Sequence, residues 1–190
     1  MEHLIIERFN DAQRLLKLTA AGKEIISTID EISKAIIKTY KDGGKVFIAG
    51  NGGSAADAQH IAAELVSRFY KERRALAAES LTVNTSNLTA IANDYDFSEI
   101  FSRQLEANGR KGDIFWGIST SGNSKNIISA IIKAKELDMR IIGFTGKDGG
   151  EMANICDFII KIPSQDTPRI QESHILIAHI ICEIVELAFV

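Results

Sequence analysis

The sequence has little of several residue types that mark particular protein classes. Its 190 residues include two cysteines, two prolines and one tryptophan, and the formal net charge is −3. Cys156 and Cys182 lack paired spacing, so we expect free thiols in a reducing compartment. The small negative charge argues against general binding of nucleic acid. No apolar run approaches the ~20 residues of a membrane span and no signal peptide is recognisable, so we expect a cytoplasmic protein without membrane contact.

The remaining composition predicts one folded domain. Hydrophobic residues make up 45% of the chain, enough to build a sizeable core. Pro163 and Pro168 frame one loop before the last helical pattern. Because we find no internal repeat, low-complexity tract or linker, residues 1–190 are expected to form a single domain.

Apolar runs and helical patterns alternate along the chain after residue 41. Strands are predicted at residues 46–49, 75–83, 113–118, 140–145 and 157–162. Helices are predicted at residues 55–69, 85–94, 98–107, 124–137 and 169–189. This order predicts an α/β fold with a doubly wound, mostly parallel five-stranded sheet flanked by helices.

Residues 2–41 precede the first strand and carry two helical patterns separated at Gly22. Both patterns are apolar on more than one face. The surplus apolar surface has two explanations: ordinary burial in the core, or packing between subunits in an oligomer.

A strand, a glycine turn and a helix follow one another between Lys45 and Phe69. Gly50–Gly53 allows positive φ and close approach of a ligand to the backbone. Ser54 is the predicted N-cap, with Asp57 completing a variant capping box. Free N–H groups at such a helix start favour an anion or a sugar hydroxyl. The spacing matches neither a dinucleotide fingerprint nor a Walker loop.

His60 and Glu64 stand four residues apart, on one face of the helix that follows this turn. They form either a surface pair worth a few tenths of a kcal/mol, or a base or metal site beside a bound substrate. The spacing alone does not choose between these functions.

A second loop, Ser119–Ser124, follows a predicted strand and begins a helix, where α/β sheets bind ligands. It holds four hydroxyl side chains in six residues, with Gly122 permitting a tight turn. Hydroxyls and backbone N–H groups at a helix start suit a phosphate ester without Lys or Arg. The alternative is a serine-rich capping loop that binds nothing.

The last helical pattern carries Gln171, His174 and His179 among isoleucines. At about 100° per residue, the two histidines project about 140° apart, so only one of them can readily face a given site. The spacing does not say which one.

Five segments occur in an order and spacing that resemble the sugar isomerase (SIS) domain family over nearly the whole chain. They are GNGGSAADAQHIAAEL, ANDY, GDIFWGISTSGNS, TGKDGG and RIQESHILIAH. Within that family, the combination of His60 and Glu64 with Gln171 and His179 resembles the members that interconvert sedoheptulose 7-phosphate and D-glycero-D-manno-heptose 7-phosphate. The resemblance therefore implies an aldose–ketose isomerase that acts by enediol proton transfer and supplies heptose for lipopolysaccharide precursors.

The resemblance also implies a role for each matching residue. The implied acid/base pair is Glu64 and His179. The implied substrate-binding residues are Asn51, Gly52, Gly53, Ser54, Glu64, Asn93, Asp94, Ser119, Thr120, Ser121, Ser124 and Gln171. Some family members bind zinc, and the matching ligands are His60, Glu64, Gln171 and His179. Pro168 departs from the family pattern, since some members carry Asp there; Asp166 or Thr167 can take its place at the pocket edge.

The resemblance further implies a homotetramer with sites near subunit boundaries, in which helices 1–41 take part in oligomerisation. Two other functions compete with the heptose phosphate isomerase. One is a non-catalytic SIS-domain protein that associates with the replication initiator, a class that lacks the carboxylate and histidine found here. The other is an isomerase for a different sugar phosphate, which the fold does not exclude.

Overall fold

A computed structural model describes residues 1–190 and contains one five-stranded sheet. All neighbouring strands are parallel, in the order β2-β1-β3-β4-β5. The strands are β1 Val46–Gly50, β2 Ala78–Ser80, β3 Ile114–Ile118, β4 Arg140–Thr145 and β5 Phe158–Lys161. The predicted α/β fold is confirmed, and every neighbouring pair is parallel.

Helices cover both faces of this sheet. They are α1 Glu2–Ala21, α2 Lys23–Lys41, α3 Gly53–Val66, α4 Thr85–Asp94, α5 Ser102–Asn108, α6 Lys125–Glu136 and α7 Thr167–Leu187. One core cluster packs β1, β3 and β4 against α2, α3 and α7; a second packs the opposite face against α5 and α6. Within β1, Val46 and Ile48 belong to the first cluster and Phe47 and Ala49 to the second. A strand covered on both faces has no polar alternation, which explains the continuous apolar run.

The strand order reverses between the neighbours β1 and β3: the chain continues from β1 to β2 on one side of the sheet and from β3 to β4 on the other. Gly50 at the end of β1 pairs in register with Ile118 at the end of β3. Ligands of open α/β sheets bind at such a reversal, outside the carboxyl ends of the strands. The glycine turn and the Ser119–Ser124 loop, predicted separately from the sequence, therefore flank the same crevice.

The two N-terminal helices are buried to different extents. On α2, Ile32 and Ile36 are fully buried and belong to the first core cluster. On α1, by contrast, the side chains of Leu4, Ile5 and Phe9 are more than half exposed. Most of the surplus apolar surface thus belongs to α1, whereas α2 buries its main apolar stripe and exposes Ile26 near its start.

Several sequence-based boundaries need correction. Strand β2 spans three residues rather than the predicted 75–83, because it pairs only with the first three residues of β1. The predicted helix 98–107 is a 3-10 turn at Phe97–Glu99 followed by α5. Helix α4 begins at an Asn84 cap, whose side chain accepts a hydrogen bond from the backbone N–H of Asn87.

The predicted capping box at Ser54 and Asp57 is wrong. Gly52 occupies the N-cap of α3, with φ of 57° and ψ of −122°, a conformation that favours glycine. Ser54 therefore lies within the first helical turn. Asp57 makes no cap bond; its Oδ2 is buried without a hydrogen-bond partner, and burial raises the pKa of this carboxyl.

The cysteines and the helices allow two further observations. Cys156 and Cys182 are unpaired, and burial raises the pKa of both thiols to about 12. None of the helices has the length and apolar character needed to cross a membrane.

Candidate functional site

The glycine turn after β1 packs tightly against α7. A Cβ on Gly53 would lie 2.7 Å from Nε2 of Gln171, so a side chain at this position would displace the amide. The same Nε2 donates to Oγ of Ser54 over 3.4 Å. Gln171 therefore lies against the start of α3. Asn51, Gly52 and Gly53, which are implied in sugar binding, belong to the same turn.

Three serine hydroxyls of the Ser119–Ser124 loop lie close together. Oγ of Ser119 lies 2.9 Å from Oγ of Ser124 and 3.3 Å from Oγ of Ser121, and Ser119 is only 4% exposed. Gly122 has φ of 69° and faces the backbone of Gly149, which a Cβ would approach to 2.0 Å. Helix α6 starts at Ser124 without a side-chain cap. The loop thus brings together, at one helix start, the hydroxyl groups from which the sequence predicts an anion site.

A polar cleft of about 350 Å³ opens beside this loop. Its lining residues are Thr120, Ser121, Asn123, Lys147, Asp148, Gly150, Ser164, Gln165, Thr167 and Ile170. Thr167, one of the two residues expected at the pocket edge beside Pro168, lines this cleft. Lys147 and Gln165 were not anticipated from the sequence, although Lys147 lies within TGKDGG, one of the quoted segments.

His60, Glu64 and His179 meet at the other end of α3. Nε2 of His60 lies 3.0 Å from Oε1 of Glu64 and 3.4 Å from Nε2 of His179. Their potential ligand atoms all lie within 4.8 Å of one another. Tetrahedral zinc, with donors at about 2.0–2.1 Å, separates its ligand atoms by about 3.3 Å, so this donor set fits the metal. We call these three residues the triad.

Gln171, the fourth implied zinc ligand, forms no hydrogen bond with the triad in this chain and bonds instead to Ser54. On α7 it precedes His179 by eight positions, about 12 Å along the helix axis. Likewise, Ser54 precedes Glu64 by ten positions on α3, about 15 Å. That Glu64 reaches a ligand held by the Gly50–Ser54 turn stays a prediction.

The two histidines of α7 have different environments, in agreement with the wide angle between them. His174 is 1% exposed, and its Nε2–H donates to the carbonyl of Thr145 over 3.0 Å. Burial lowers the pKa of this imidazole to about 4, so it is neutral at physiological pH. His179 is partly exposed and joins the triad.

Asn93 and Asp94 are hydrogen-bonded to each other. They are exposed at the end of α4, where Nδ2 of Asn93 donates to Oδ1 of Asp94 over 2.8 Å. Their side chains contact neither the glycine turn nor the serine loop by hydrogen bonds.

Comparisons with known proteins agree with this arrangement. Residues 9–146 match the SIS domain family. The chain is 59% identical to the phosphoheptose isomerase of Clostridium acetobutylicum, covering 95% of each chain. It is 57% identical to that of Aneurinibacillus thermoaerophilus, covering 87% of this chain and 84% of the relative. The solved phosphoheptose isomerase of Neisseria gonorrhoeae superposes with a TM-score of 0.92 at 40% identity, covering 98% of each chain. The chain therefore belongs to the SIS domain family and, within it, to the phosphoheptose isomerases.

Proposed function

We propose that the chain converts sedoheptulose 7-phosphate to D-glycero-D-manno-heptose 7-phosphate. The observation that carries this proposal is that this chain, which is 59% identical to a phosphoheptose isomerase, has both a serine-rich loop and a carboxylate–histidine cluster. A binding protein would need only the loop. The meeting of Glu64 with His179 therefore favours the isomerase over the replication-associated alternative.

The phosphate is assigned to the serine loop. Ser119, Thr120, Ser121 and Ser124 supply hydroxyls around the uncapped start of α6, which attracts an anion through its free N–H groups. Ser54 stands near the loop at the start of α3. The sugar would extend from the phosphate toward Asn51, Gly52, Gly53 and Gln171, and Asn93 with Asp94 would contact it from the end of α4.

The proton transfers are assigned to Glu64 and His179. Glu64 removes a proton from C1 of the ketose, and the resulting enediol receives a proton at C2 from the same carboxyl. Meanwhile His179 moves the proton between the oxygens on C1 and C2. A single base on one face of the enediol can do both carbon steps, and an imidazole suits the exchange between oxygens.

Zinc is assigned to the triad. His60, Glu64 and His179 would hold it, with Gln171 as a fourth ligand if another subunit or a movement of the amide brings it there. Bound zinc would polarise the substrate carbonyl and stabilise negative charge on oxygen. Because Glu64 cannot easily be a tight ligand and a free base at once, its ligation would have to be exchangeable.

The separation of about 15 Å along α3 between Ser54 and Glu64 supports a site shared between chains. We therefore propose a homotetramer in which the triad of one subunit acts near the serine loop of another. Exposed Leu4, Ile5 and Phe9 on α1 line an apolar groove of about 530 Å³ against α7, a surface suited to helix packing between subunits. Light scattering should then give four times the chain mass of 20.8 kDa; a monomer would contradict the shared site.

The proposed compartment is the cytoplasm, where the unpaired Cys156 and Cys182 would stay reduced. The heptose phosphate formed there would supply precursors of lipopolysaccharide. The substrates are small sugar phosphates, and nothing in the charge of −3 calls for a nucleic-acid partner.

NMR spectroscopy of sedoheptulose 7-phosphate in D₂O with the pure protein tests the function. We expect aldose to form with deuterium at C2, because the transferred proton exchanges with solvent on the carboxyl. Fructose 6-phosphate is the matched control, since it shares the ketose and phosphate ends but has one carbon fewer. Conversion of fructose 6-phosphate alone would assign the chain to another sugar phosphate, and conversion of neither would contradict the isomerase function.

A further inference from the structure

One side chain outside the assigned site connects its two loops. Asn126 lies in the first turn of α6 and is 3% exposed. Its Nδ2 donates to Oδ1 of Asn51 over 2.8 Å, and Nδ2 of Asn51 donates back to Oδ1 of Asn126 over 2.9 Å. The two amides thus form a closed, reciprocal pair between residues 75 positions apart in the chain.

We propose that Asn126 is a positioning residue that acts through Asn51, holding the sugar end of the site at a fixed distance from the phosphate end. The pair spans the crevice at which the strand order reverses. Asn51 follows β1 directly, and Asn126 follows the serine loop after β3. The inference rests on the function proposed above, because it takes the glycine turn as the sugar contact and the serine loop as the phosphate contact.

The geometry gives this pair a role that neither loop can fill alone. Strands β1 and β3 are in register up to Gly50 and Ile118, but beyond these residues no ladder hydrogen bond fixes the loops to each other. A substrate held at both ends requires the loops at one separation, and misplacement by about 1 Å can cost on the order of 100-fold in rate. The amide pair supplies a connection at this point.

The pair also fixes the orientation of the Asn51 amide. Each amide uses its oxygen and one N–H in the pair, which leaves Asn51 a second N–H and a second lone pair for a ligand. If Asn126 lost its amide, the Asn51 side chain could turn over, presenting oxygen where it now presents N–H. Because both groups are neutral, this orienting effect does not depend on pH or salt.

The first measurement compares Asn126→Ala with the wild-type chain in the conversion of sedoheptulose 7-phosphate. We expect kcat/KM to fall at least tenfold. Inorganic phosphate, which needs only the serine loop, should inhibit with a Ki within threefold of the wild-type value. A merely structural role would weaken phosphate inhibition and substrate turnover together. Unchanged kcat/KM, or a parallel rise in the phosphate Ki, would overturn the proposal.

A double-mutant cycle tests whether Asn126 acts through Asn51. The double variant Asn51→Ala with Asn126→Ala should have a kcat/KM within threefold of Asn51→Ala alone, because the second substitution then has nothing left to position. Multiplying effects would mean that Asn126 contacts the substrate independently, and the positioning role would be wrong.

Gln104→Ala is the matched control. Gln104 is another buried amide, 6% exposed, which donates to the carbonyls of Leu81 and Ile100 and to neither of the two loops. The Gln104→Ala variant should lose stability as Asn126→Ala does, but its kcat/KM should stay within twofold of the wild-type value. If Asn126→Ala fails to fold, Asn126→Leu fills the same space without an amide and carries the same expectations. A wild-type chain that converts no substrate would point to the proposed function as the failure, not to the amide pair.

Discussion

Arg73 and Glu186 form a buried ion pair: Nε of Arg73 lies 3.5 Å from Oε1 of Glu186, and both side chains are 1% exposed. The Glu186 carboxylate also accepts hydrogen bonds of 2.6–2.8 Å from the backbone N–H groups of Phe69, Tyr70 and Lys71. Arg73 in turn donates to the carbonyl of Glu64 over 2.8 Å. The end of α3, which carries Glu64, is therefore tied to the end of α7.

Glu186→Gln should destabilise the protein by roughly 3 kcal/mol, since it leaves a buried guanidinium without its counter-charge. Glu183→Gln, an exposed carboxylate on the same helix, is the control and should change stability little. Urea unfolding followed by circular dichroism measures both. Equal stability of the two variants would show that the pair does not stabilise the fold.

The same carboxylate makes stability depend on pH. Burial alone would raise the pKa of Glu186, but three backbone N–H groups and Arg73 outweigh it and hold the pKa below its ordinary value of 4.5. A carboxyl with a lowered folded pKa stabilises the protein above the unfolded pKa, and this contribution is lost as pH falls through the folded pKa. The free-energy difference between wild type and Glu186→Gln should therefore be constant from pH 6 to 8 and shrink below about pH 4.5. A constant difference down to acid pH would contradict this assignment.

His174 predicts a second, separate pH dependence. Burial lowers the pKa of its imidazole from 6.5 to about 4, so the unfolded chain binds a proton in this range that the folded chain does not. The wild-type protein should lose up to about 3 kcal/mol from this group as pH falls from 6.5 to 4. In His174→Asn that loss should be absent, whereas the exposed control His3→Asn should keep it. Unfolding titrations at pH 4, 5, 6 and 7 measure the effect; parallel curves for wild type and His174→Asn would contradict it.

Sequence patterns predicted the parts of this fold that depend on near neighbours. Strand β4 has the predicted limits at Arg140 and Thr145, and Gly22 separates α1 from α2 as expected. Hydrophobic runs, caps and glycine turns act over a few residues and leave a local signal. The same holds for the serine loop, whose chemistry lies within six consecutive residues.

Contacts between distant segments leave no such signal. The Asn51–Asn126 amide pair joins residues 75 apart, and the bonds from Phe69 to Glu186 join residues 117 apart. The separation of Ser54 from Glu64 follows from their spacing within one helix, α3. The contact between His60 and His179, by contrast, depends on how α7 packs beside α3. The resemblance implies roles for Asn51 and His179 but none for Asn126 or Glu186, because neither periodicity nor spacing distinguishes a buried amide in a crevice from one in a core.

Ser119 and Ser121 allow a direct test of the phosphate site. Replacing both with Ala should raise KM roughly thirtyfold, because at least about 2 kcal/mol of hydrogen bonding to a charged ester is lost. Ser33→Ala is the control: its buried hydroxyl bonds only to the carbonyl of Ile29 on α2. The measurement is steady-state kinetics, with thermal unfolding to establish that each variant folds. An unchanged KM in the double variant would remove the loop from the phosphate site.

Zinc should bind the triad in the absence of substrate. Because a ligand that binds only the folded state stabilises it, added zinc should raise the Tm of the wild-type protein but not of His60→Ala. His3→Ala, exposed on α1, should respond to zinc as the wild type does. Equal Tm with and without zinc in the wild type would remove the metal from the triad. Chelation then reports its role: a catalytic zinc requires that turnover be lost and restored with the metal.

The assignment of the proton transfers rests on Glu64 and His179. Glu64→Gln keeps the shape and hydrogen-bonding capacity of the side chain but removes the base, so kcat should fall by on the order of 10²–10⁴ while KM changes far less. Glu72→Gln, an exposed carboxylate in the loop after α3, is the control and should retain wild-type kcat.

His179→Asn should lower kcat by a similar factor, because the hydroxyl proton then has no imidazole to carry it. If the two residues act as a unit, kcat of the double variant should be little lower than kcat of the less active single variant. If their roles are independent, the two losses in kcat should multiply. Deuterium exchange at C1 of the ketose separates the steps: Glu64→Gln should abolish it, since that exchange needs only the carbon base. A near-wild-type kcat in Glu64→Gln would contradict this mechanism, with or without a catalytic role for zinc.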